Sequence, residues 1–355
     1  MSDSSSGAES HRSRPAGGRS HSHESSADFY QTPEDAPRPY VVTEDVQPLV
    51  ETWAKERDFT PPSQEFWDKF NGRFRGMMGA IFPNFVLLPA QEITEEVRRR
   101  VSKYEGVSGV AIIALDELYN VGEHQFNMTR YVDPEGTEIG IGTRFNTPGL
   151  ATQLKTIVDD LRSRGITEVV LVDDVIFNGT QVMRLARLLA RAGIKVKAVV
   201  AAVGIGSGVE RLQTEGIDVE CARVYPHVID QVCQRDFFPG VPAGGRTIPT
   251  DSDEGIPYLL PLGKPLEWAS IPEEWELSLS QFCLQETIAL FEEIERRSHK
   301  PVLCRDLPRT VANLPRDERR FVDVLQEMLD HVNELLKRAA ESSGPPEELG
   351  RGERE

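Results

Sequence analysis

No stretch of this chain approaches the roughly 20 consecutive apolar residues that a membrane-spanning helix requires, and its start lacks the apolar core of a secretion signal. Cysteine is scarce: Cys221, Cys233, Cys283 and Cys304 are the only four, with no C-x-x-C spacing and no neighbouring pair of histidines. Neither a zinc site nor a disulfide framework is therefore signalled, and buried thiols in a reducing cytosol are expected. Positive charge is also short, since 40 Lys and Arg face 57 Asp and Glu for a formal net charge of −17. Attraction to phosphate-rich surfaces would have the wrong sign over most of such a molecule, which argues against bulk binding to nucleic acid or anionic membrane unless a local basic patch overrides it. A soluble, cytoplasmic protein with small-molecule partners is expected, of a length, 355 residues, that suits one large domain with appendages or two modest ones.

Residues 1–27 are Ser, Gly, Arg and His with almost no large apolar side chain, and residues 342–355 are similar; such segments bury too little to offset ordering entropy, so both read as disordered tails. His21 and His23 in the first tail make a poor metal site. Residues 28–106 read as a helical N-terminal cap, with Phe66, Phe70, Phe74 and Met78 at helical spacing, breakers at Pro61, Pro62 and Pro83, and a further helix over 92–104. The rhythm changes over residues 107–260. Strands are expected at 109–115, 129–132, 138–142, 168–172, 196–203 and 218–224, and helices at 147–164, 180–192 and 209–214. Strands and helices in such alternation imply a parallel α/β sheet with right-handed crossovers, that is, a Rossmann-like core. Residues 261–341 form a C-terminal helical region, with amphipathic helices expected at 273–297 (Leu277, Phe282, Ile288, Phe291, Ile294) and 317–338 (Phe321, Leu325, Met328, Val332, Leu335, Leu336), read as a helical layer or an oligomer contact.

The most specific segment lies in the middle of that core. Val169, Val170, Leu171 and Val172 run without polar alternation, as in a strand buried on both faces of a parallel sheet. Asp173 and Asp174 follow, then the turn Phe177-Asn178-Gly179-Thr180 and a helix rich in Leu and Ala. This places two acids at the carboxyl end of a central strand, where open α/β sheets bind ligands, beside a helix start whose free amides suit a phosphate. The segment resembles the signature of type I phosphoribosyltransferases: apolar residues, two acids, and a small-residue loop commonly ending Thr-Gly-x-Thr. The resemblance covers residues 109–224 and is specific over 169–182. It implies that Asp173 and Asp174 hold the ribose hydroxyls of phosphoribosyl pyrophosphate, and that Asn178, Gly179, Thr180 and Gln181 hold its 5′-phosphate. Asn178 stands where Thr is usual, Gln181 where the closing Thr or Ser would be, and Phe177 where purine-salvage members often carry a third acid.

Further expectations follow from the likeness. Magnesium accompanies the pyrophosphate, and a mobile loop over 119–144, with Asn120, His124, Arg130 and Arg144, closes on the transition state; Arg130 and Arg144 are the candidates to neutralise charge. The pyrophosphate loop after the first sheet strand would fall on Asp116-Glu117-Leu118, two acids that repel pyrophosphate unless magnesium intervenes. A hood over residues 225–261 would supply an aromatic platform, with Phe237 and Phe238 read either as that platform or as anchors of a long loop. Gly204-Ile205-Gly206-Ser207-Gly208 lacks the full dinucleotide-binding pattern and reads as a simple Gly-rich loop; by resemblance Gly206 or Ser207 would lie near the nucleobase. Three functions stay open: a phosphoribosyltransferase of nucleotide metabolism acting on a nitrogenous base, a non-catalytic sensor of phosphoribosyl pyrophosphate or a nucleotide, and a magnesium-dependent phosphohydrolase.

Overall fold

The computed structural model describes residues 37–342, apart from Asn120, Phe145, residues 251–253 and Thr310. The tails expected at 1–27 and 342–355 lie outside the described residues, Ser342 excepted. In chain order the first part runs β1 (Tyr40–Thr43), α1 (Val46–Glu56), α2 (Gln64–Ile81), β2 (Phe85–Leu88) and α3 (Ala90–Val101). The middle follows with β3 (Val110–Ala114), β4 (His124–Gln125), β5 (Met128–Val132), β6 (Glu138–Thr143), α4 (Leu150–Ser163), β7 (Glu168–Ile176), α5 (Thr180–Arg191), β8 (Lys195–Ile205), α6 (Gly206–Thr214) and β9 (Asp218–Tyr225). Last come β10 (Asp230–Cys233), β11 (Arg246–Ile248), β12 (Glu254–Ile256), α7 (Pro265–Ala269), α8 (Glu273–Ser298) and α9 (Phe321–Ser342).

The chain is α/β with parallel sheets. Its central sheet has five strands in the order β4-β3-β7-β8-β9, all parallel. Apolar residues alternate between its two faces: Val169 and Leu171 pack with Ile157, Val158 and Leu161 of α4 and with Leu185 and Leu189 of α5, whereas Val170 and Val172 pack with Ile93, Val97 and Val101 of α3. Both faces are thus covered, which is why β7 reads as an unbroken apolar run. A second sheet, β12-β11-β5-β6, stands beside it; β5 and β6 form its antiparallel hairpin.

The N-terminal segment is not wholly helical, as its spacing suggests. β1 and β2 pair in parallel, and β1 also pairs in parallel with β10. The runs YVVT and FVLL are only four residues each, too short for periodicity to separate a strand from a buried helix turn. α2 behaves as expected. Ser63 caps it by accepting a bond from the Phe66 amide, and Trp67, Phe70, Phe74, Met78 and Ile81 make its buried stripe. That stripe and the C-terminal helices share one hydrophobic cluster: Phe291 of α8 lies 5.8 Å from Trp53 and 4.8 Å from Phe321, ring centre to ring centre. α9 starts at Phe321 rather than at 317: the backbone before it pairs with residues 302–305, as in the bonds from the Cys304 amide to the Arg319 carbonyl (2.9 Å) and from the Phe321 amide to the Val302 carbonyl (2.8 Å), and Arg320 Nε lies 2.9 Å from Glu295 Oε2 of α8. Among the described residues no helix is long and apolar enough to cross a membrane.

Candidate functional site

The site begins where two neighbouring strands stop together unequally. β3 pairs with β7 only as far as Ala114 opposite Val172, plus one bond from the Leu115 amide to the Val172 carbonyl at 2.7 Å. β8 stays paired with β7 out to Ile176. Asp173 and Asp174 therefore lie inside the strand rather than after it, held in register on one side and open to a crevice on the other. Both side chains line the same cleft, and the Asp173 carboxyl lies within hydrogen-bonding reach of that of Asp174.

Asp174 turns towards the three-stranded sheet. Its Oδ2 lies 3.4 Å from Cys233 Sγ, which donates, and 3.4 Å from Arg235 Nη2. Arg235 is a buried junction: Nη2 also reaches Asp116 Oδ2 at 3.2 Å, Nη1 reaches Asp45 Oδ2 at 2.8 Å, and its amide donates to Asp45 Oδ1 at 2.9 Å. Asp116, directly beyond β3, is also 3.4 Å from Arg144 Nη2, and Arg144 further donates to the carbonyls of Leu115 (3.3 Å) and Met128 (3.1 Å) and lies 3.5 Å from Glu117. The acids expected to repel a pyrophosphate are thus matched internally by two arginines. Arg144 is committed to this network, while Arg130 lines the cleft exposed and in no ion pair among the described residues.

Asp173 has different surroundings. Its Oδ1 accepts the Asp174 amide at 3.0 Å, and among the described residues no cation pairs with it. Burial, then the charges of Asp174 and Asp116, push its carboxyl well above the ordinary range. Burial and Asp116 also raise Asp174, against the pull of Arg235 and Arg144. Burial pushes Asp45 up to about 7 despite the guanidinium beside it. Asp116 goes the other way: burial opposes ionisation, yet Arg235, Arg144 and the Leu118 amide together hold it below the usual value.

Beyond Ile176 the chain turns through Gly179, whose φ of +70° places it in the left-handed region at the cap of α5. The Thr180 amide donates to Asn178 Oδ1 at 3.0 Å, and the first backbone bond into the helix runs from Met183 to Gly179 at 3.0 Å. The amides of Gln181 and Val182 are left for another acceptor. Asn178, Gly179, Thr180 and Gln181 all line one cleft with Asp173, Asp174, Arg130 and Arg144, with a volume of about 580 Å³. Its far wall carries Arg246, 2.8 Å from Glu138 and stacked 4.9 Å from the Trp268 ring and 5.9 Å from that of Tyr258.

Phe237 and Phe238 do not form a platform. They are fully buried against Phe70 and Phe74, at centroid distances of 4.8 Å for Phe238 to Phe70 and 5.8 Å for Phe237 to Phe74, so they anchor the loop. The aromatic lining comes instead from Tyr258, Trp268 and the exposed Phe177. His124 is turned to Asp160, 3.1 Å away, and is not part of the cleft lining; Asn120 lies outside the described residues. The Gly-rich segment proves to be the end of β8 and the first turn of α6, and Gly206 and Ser207 do not line the cleft. A Cβ at Gly208 would sit 2.6 Å from the Phe177 carbonyl oxygen, so this glycine serves close packing of α6 on the loop. Cys233, Cys283 and Cys304 are buried and Cys221 is half-buried, all as free thiols. Sequence reasoning missed Asp45, Cys233 and Arg235 as members of the site; the only signal was the isolated pair Arg235-Asp236 in a Pro- and Gly-rich stretch.

No family model and no curated protein matches the chain. Among solved structures it is similar to an adenine phosphoribosyltransferase from Thermoanaerobacter pseudethanolicus, with 14% identity, 37% of this chain and 79% of that one covered, and a TM-score of 0.24. It is also similar to an adenine phosphoribosyl transferase from Trypanosoma brucei, described in complex with AMP, pyrophosphate and ribose-5-phosphate, with 13% identity, 40% and 64% covered, and a TM-score of 0.21. Likeness at such scores carries no argument about the cleft.

Proposed function

We propose that the cleft binds phosphoribosyl pyrophosphate and that the protein transfers its phosphoribosyl group to a nitrogenous base with release of pyrophosphate. The observation that carries this reading is the passage of Asp173 and Asp174, at an open strand edge, straight into the glycine-capped start of α5. The carboxylates would accept the ribose hydroxyls, and the loop amides and Thr180 the 5′-phosphate. In the reaction the bond from the anomeric carbon to pyrophosphate breaks, its electron pair leaving with the pyrophosphate, as the ring nitrogen forms its bond to that carbon and the proton of a neutral base is released to solvent. Positive charge builds on the ribose in passing, which two neighbouring carboxylates favour. Arg130, exposed in the cleft, is the side chain free to meet the leaving group.

Magnesium belongs to this proposal. Among the described residues no three His, Cys, Asp or Glu side chains gather to hold a metal ion, so the ion would come on the phosphates of the donor, as magnesium commonly does with one or two carboxylates. Asp173, the carboxylate without a cation, fits that part. When bound, the ion would neutralise the departing pyrophosphate.

A second reading has its own observation. Arg235 already holds Asp174, and the same guanidinium holds Asp45 at the start of α1. A ligand drawn to Asp174 competes for that guanidinium, and its occupancy would reach the helical half, as suits a non-catalytic binding protein.

Calorimetric titration of phosphoribosyl pyrophosphate with magnesium into wild type and the Asp173→Asn/Asp174→Asn variant, then a pyrophosphate-release assay over a panel of bases, separates these. Binding that needs the aspartates, with base-dependent pyrophosphate release, supports the transferase; binding without release supports the binding protein. Release of inorganic phosphate without a base points to hydrolysis, and absence of binding ends both readings.

A further inference from the structure

We infer that Arg211, on α6, is the positioning residue of the phosphate end of the cleft, acting through Thr180. The inference rests on the phosphoribosyl reading above. α6 follows β8 without a loop, and its first turn lies directly on the turn after β7: a Cβ on Gly208 would meet the Phe177 carbonyl oxygen at 2.6 Å, and one on Gly179 would meet the Gly208 carbonyl oxygen at 3.2 Å. Only two glycines in these places allow so close an approach. One turn further along α6, Arg211 reaches over the loop, and its Nη1 donates to the Asn178 carbonyl at 3.2 Å and to Thr180 Oγ1 at 3.0 Å.

These bonds orient the Thr180 hydroxyl. A hydroxyl has one hydrogen to give, and when a guanidinium N–H occupies a lone pair, that hydrogen is left for another acceptor. Among the described residues Thr180 Oγ1 takes part only in the bond it accepts from Arg211, while the Thr180 amide donates to Asn178 Oδ1. Thr180 lines the cleft beside Gln181 and Val182, whose amides precede the first bond of α5. Three donors thus converge where an anion would sit. Arg211 makes no ion pair with a carboxylate among the described residues, in a chain with 57 acids, so its charge is not neutralised by a neighbour.

The probe is ribose 5-phosphate, titrated calorimetrically into the full chain, with the bound phosphorus followed by NMR across the pH range. A free phosphomonoester takes up its second proton near pH ~6, and a neighbouring cation lowers that value. In wild type the bound phosphorus should titrate below the free ester. Arg211→Ala should weaken binding about tenfold or more and return the titration towards the free value, and Arg211→Lys should recover part of both. Thr180→Val should weaken binding while keeping part of the titration shift. Affinity of Arg211→Ala within about twofold of wild type would overturn the inference, and so would lost affinity with an unchanged phosphorus titration, the mark of a loop merely held in shape. If Asp173→Asn/Asp174→Asn weakens binding and Arg211→Ala does not, Arg211 alone is misassigned; if wild type does not bind ribose 5-phosphate, the phosphoribosyl reading fails and this inference with it.

Discussion

The two walls of the cleft are built in opposite ways. One is continuous: Asp173, Asp174, Asn178, Gly179, Thr180 and Gln181 come from a single strand, turn and helix start. The other is gathered from distant segments, with Asp45 before α1, Asp116 after β3, Arg144 after β6, and Cys233 and Arg235 at the end of β10. Apart from Asp174, which Arg235 reaches, the continuous wall leaves charge and amides unmatched among the described residues, as a binding surface must. The gathered wall pairs every one of those acids with an arginine inside the protein and so resembles a structural junction. Asp174 joins the two walls, belonging to the first by its place in β7 and to the second through Arg235.

The sharpest way to break this comparison is Arg235→Ala. It strands Asp45, Asp116 and Asp174 without a common cation, and loss of one partner from a buried ion-pair network typically costs about 3–5 kcal/mol. Urea denaturation should show a lower midpoint of that order; a loss below about 1 kcal/mol, the level of an exposed pair, would mean the junction is solvated.

Next comes pH. Asp173 and Asp174 have folded-state values raised above the ordinary 3.8, whereas Asp116 is lowered. A raised acid holds its proton longer when folded, so its contribution to stability is present below the unfolded value and lost as pH rises through the folded one. Stability should therefore decline as pH rises above about 4, and Asp173→Asn should flatten the decline and stabilise the unliganded protein at neutral pH. An unchanged pH profile would show that Asp173 is well solvated.

Gly208→Ala should destabilise by about 1–3 kcal/mol, because the added carbon meets backbone and not a pliable side chain. Gly72, with nothing within 4 Å of an added carbon and a place inside α2, is the control. Gly72→Ala should stabilise by about 0.5–1 kcal/mol through helix propensity. Equal effects at the two sites, read from thermal midpoints, would dissolve the claim that α6 rests on the loop. The smallest effect is expected at Phe177, which is 38% exposed at the cleft. Phe177→Ala should change stability by no more than about 0.5 kcal/mol, and a larger loss would place that ring in the core.

Features whose physics is local were legible from the chain. The apolar run before Asp173, the glycine that φ +70° requires, and the helical stripes of α2 and α9 could each be read from neighbouring residues, since periodicity and turn chemistry act within a few positions, whereas α8 buries Leu279, Cys283, Leu284 and Leu290 and leaves Leu277, Phe282 and Ile288 half-buried. Packing between distant segments makes YVVT and FVLL strands, since their partners lie elsewhere in the chain, and sets Phe237 and Phe238 to anchor the loop instead of facing the cleft. It alone brought Arg235 to three aspartates. Such a contact depends on where whole elements pack, and burial then makes the pairing matter, because a charge removed from water must find its counterpart wherever in the chain that counterpart lies.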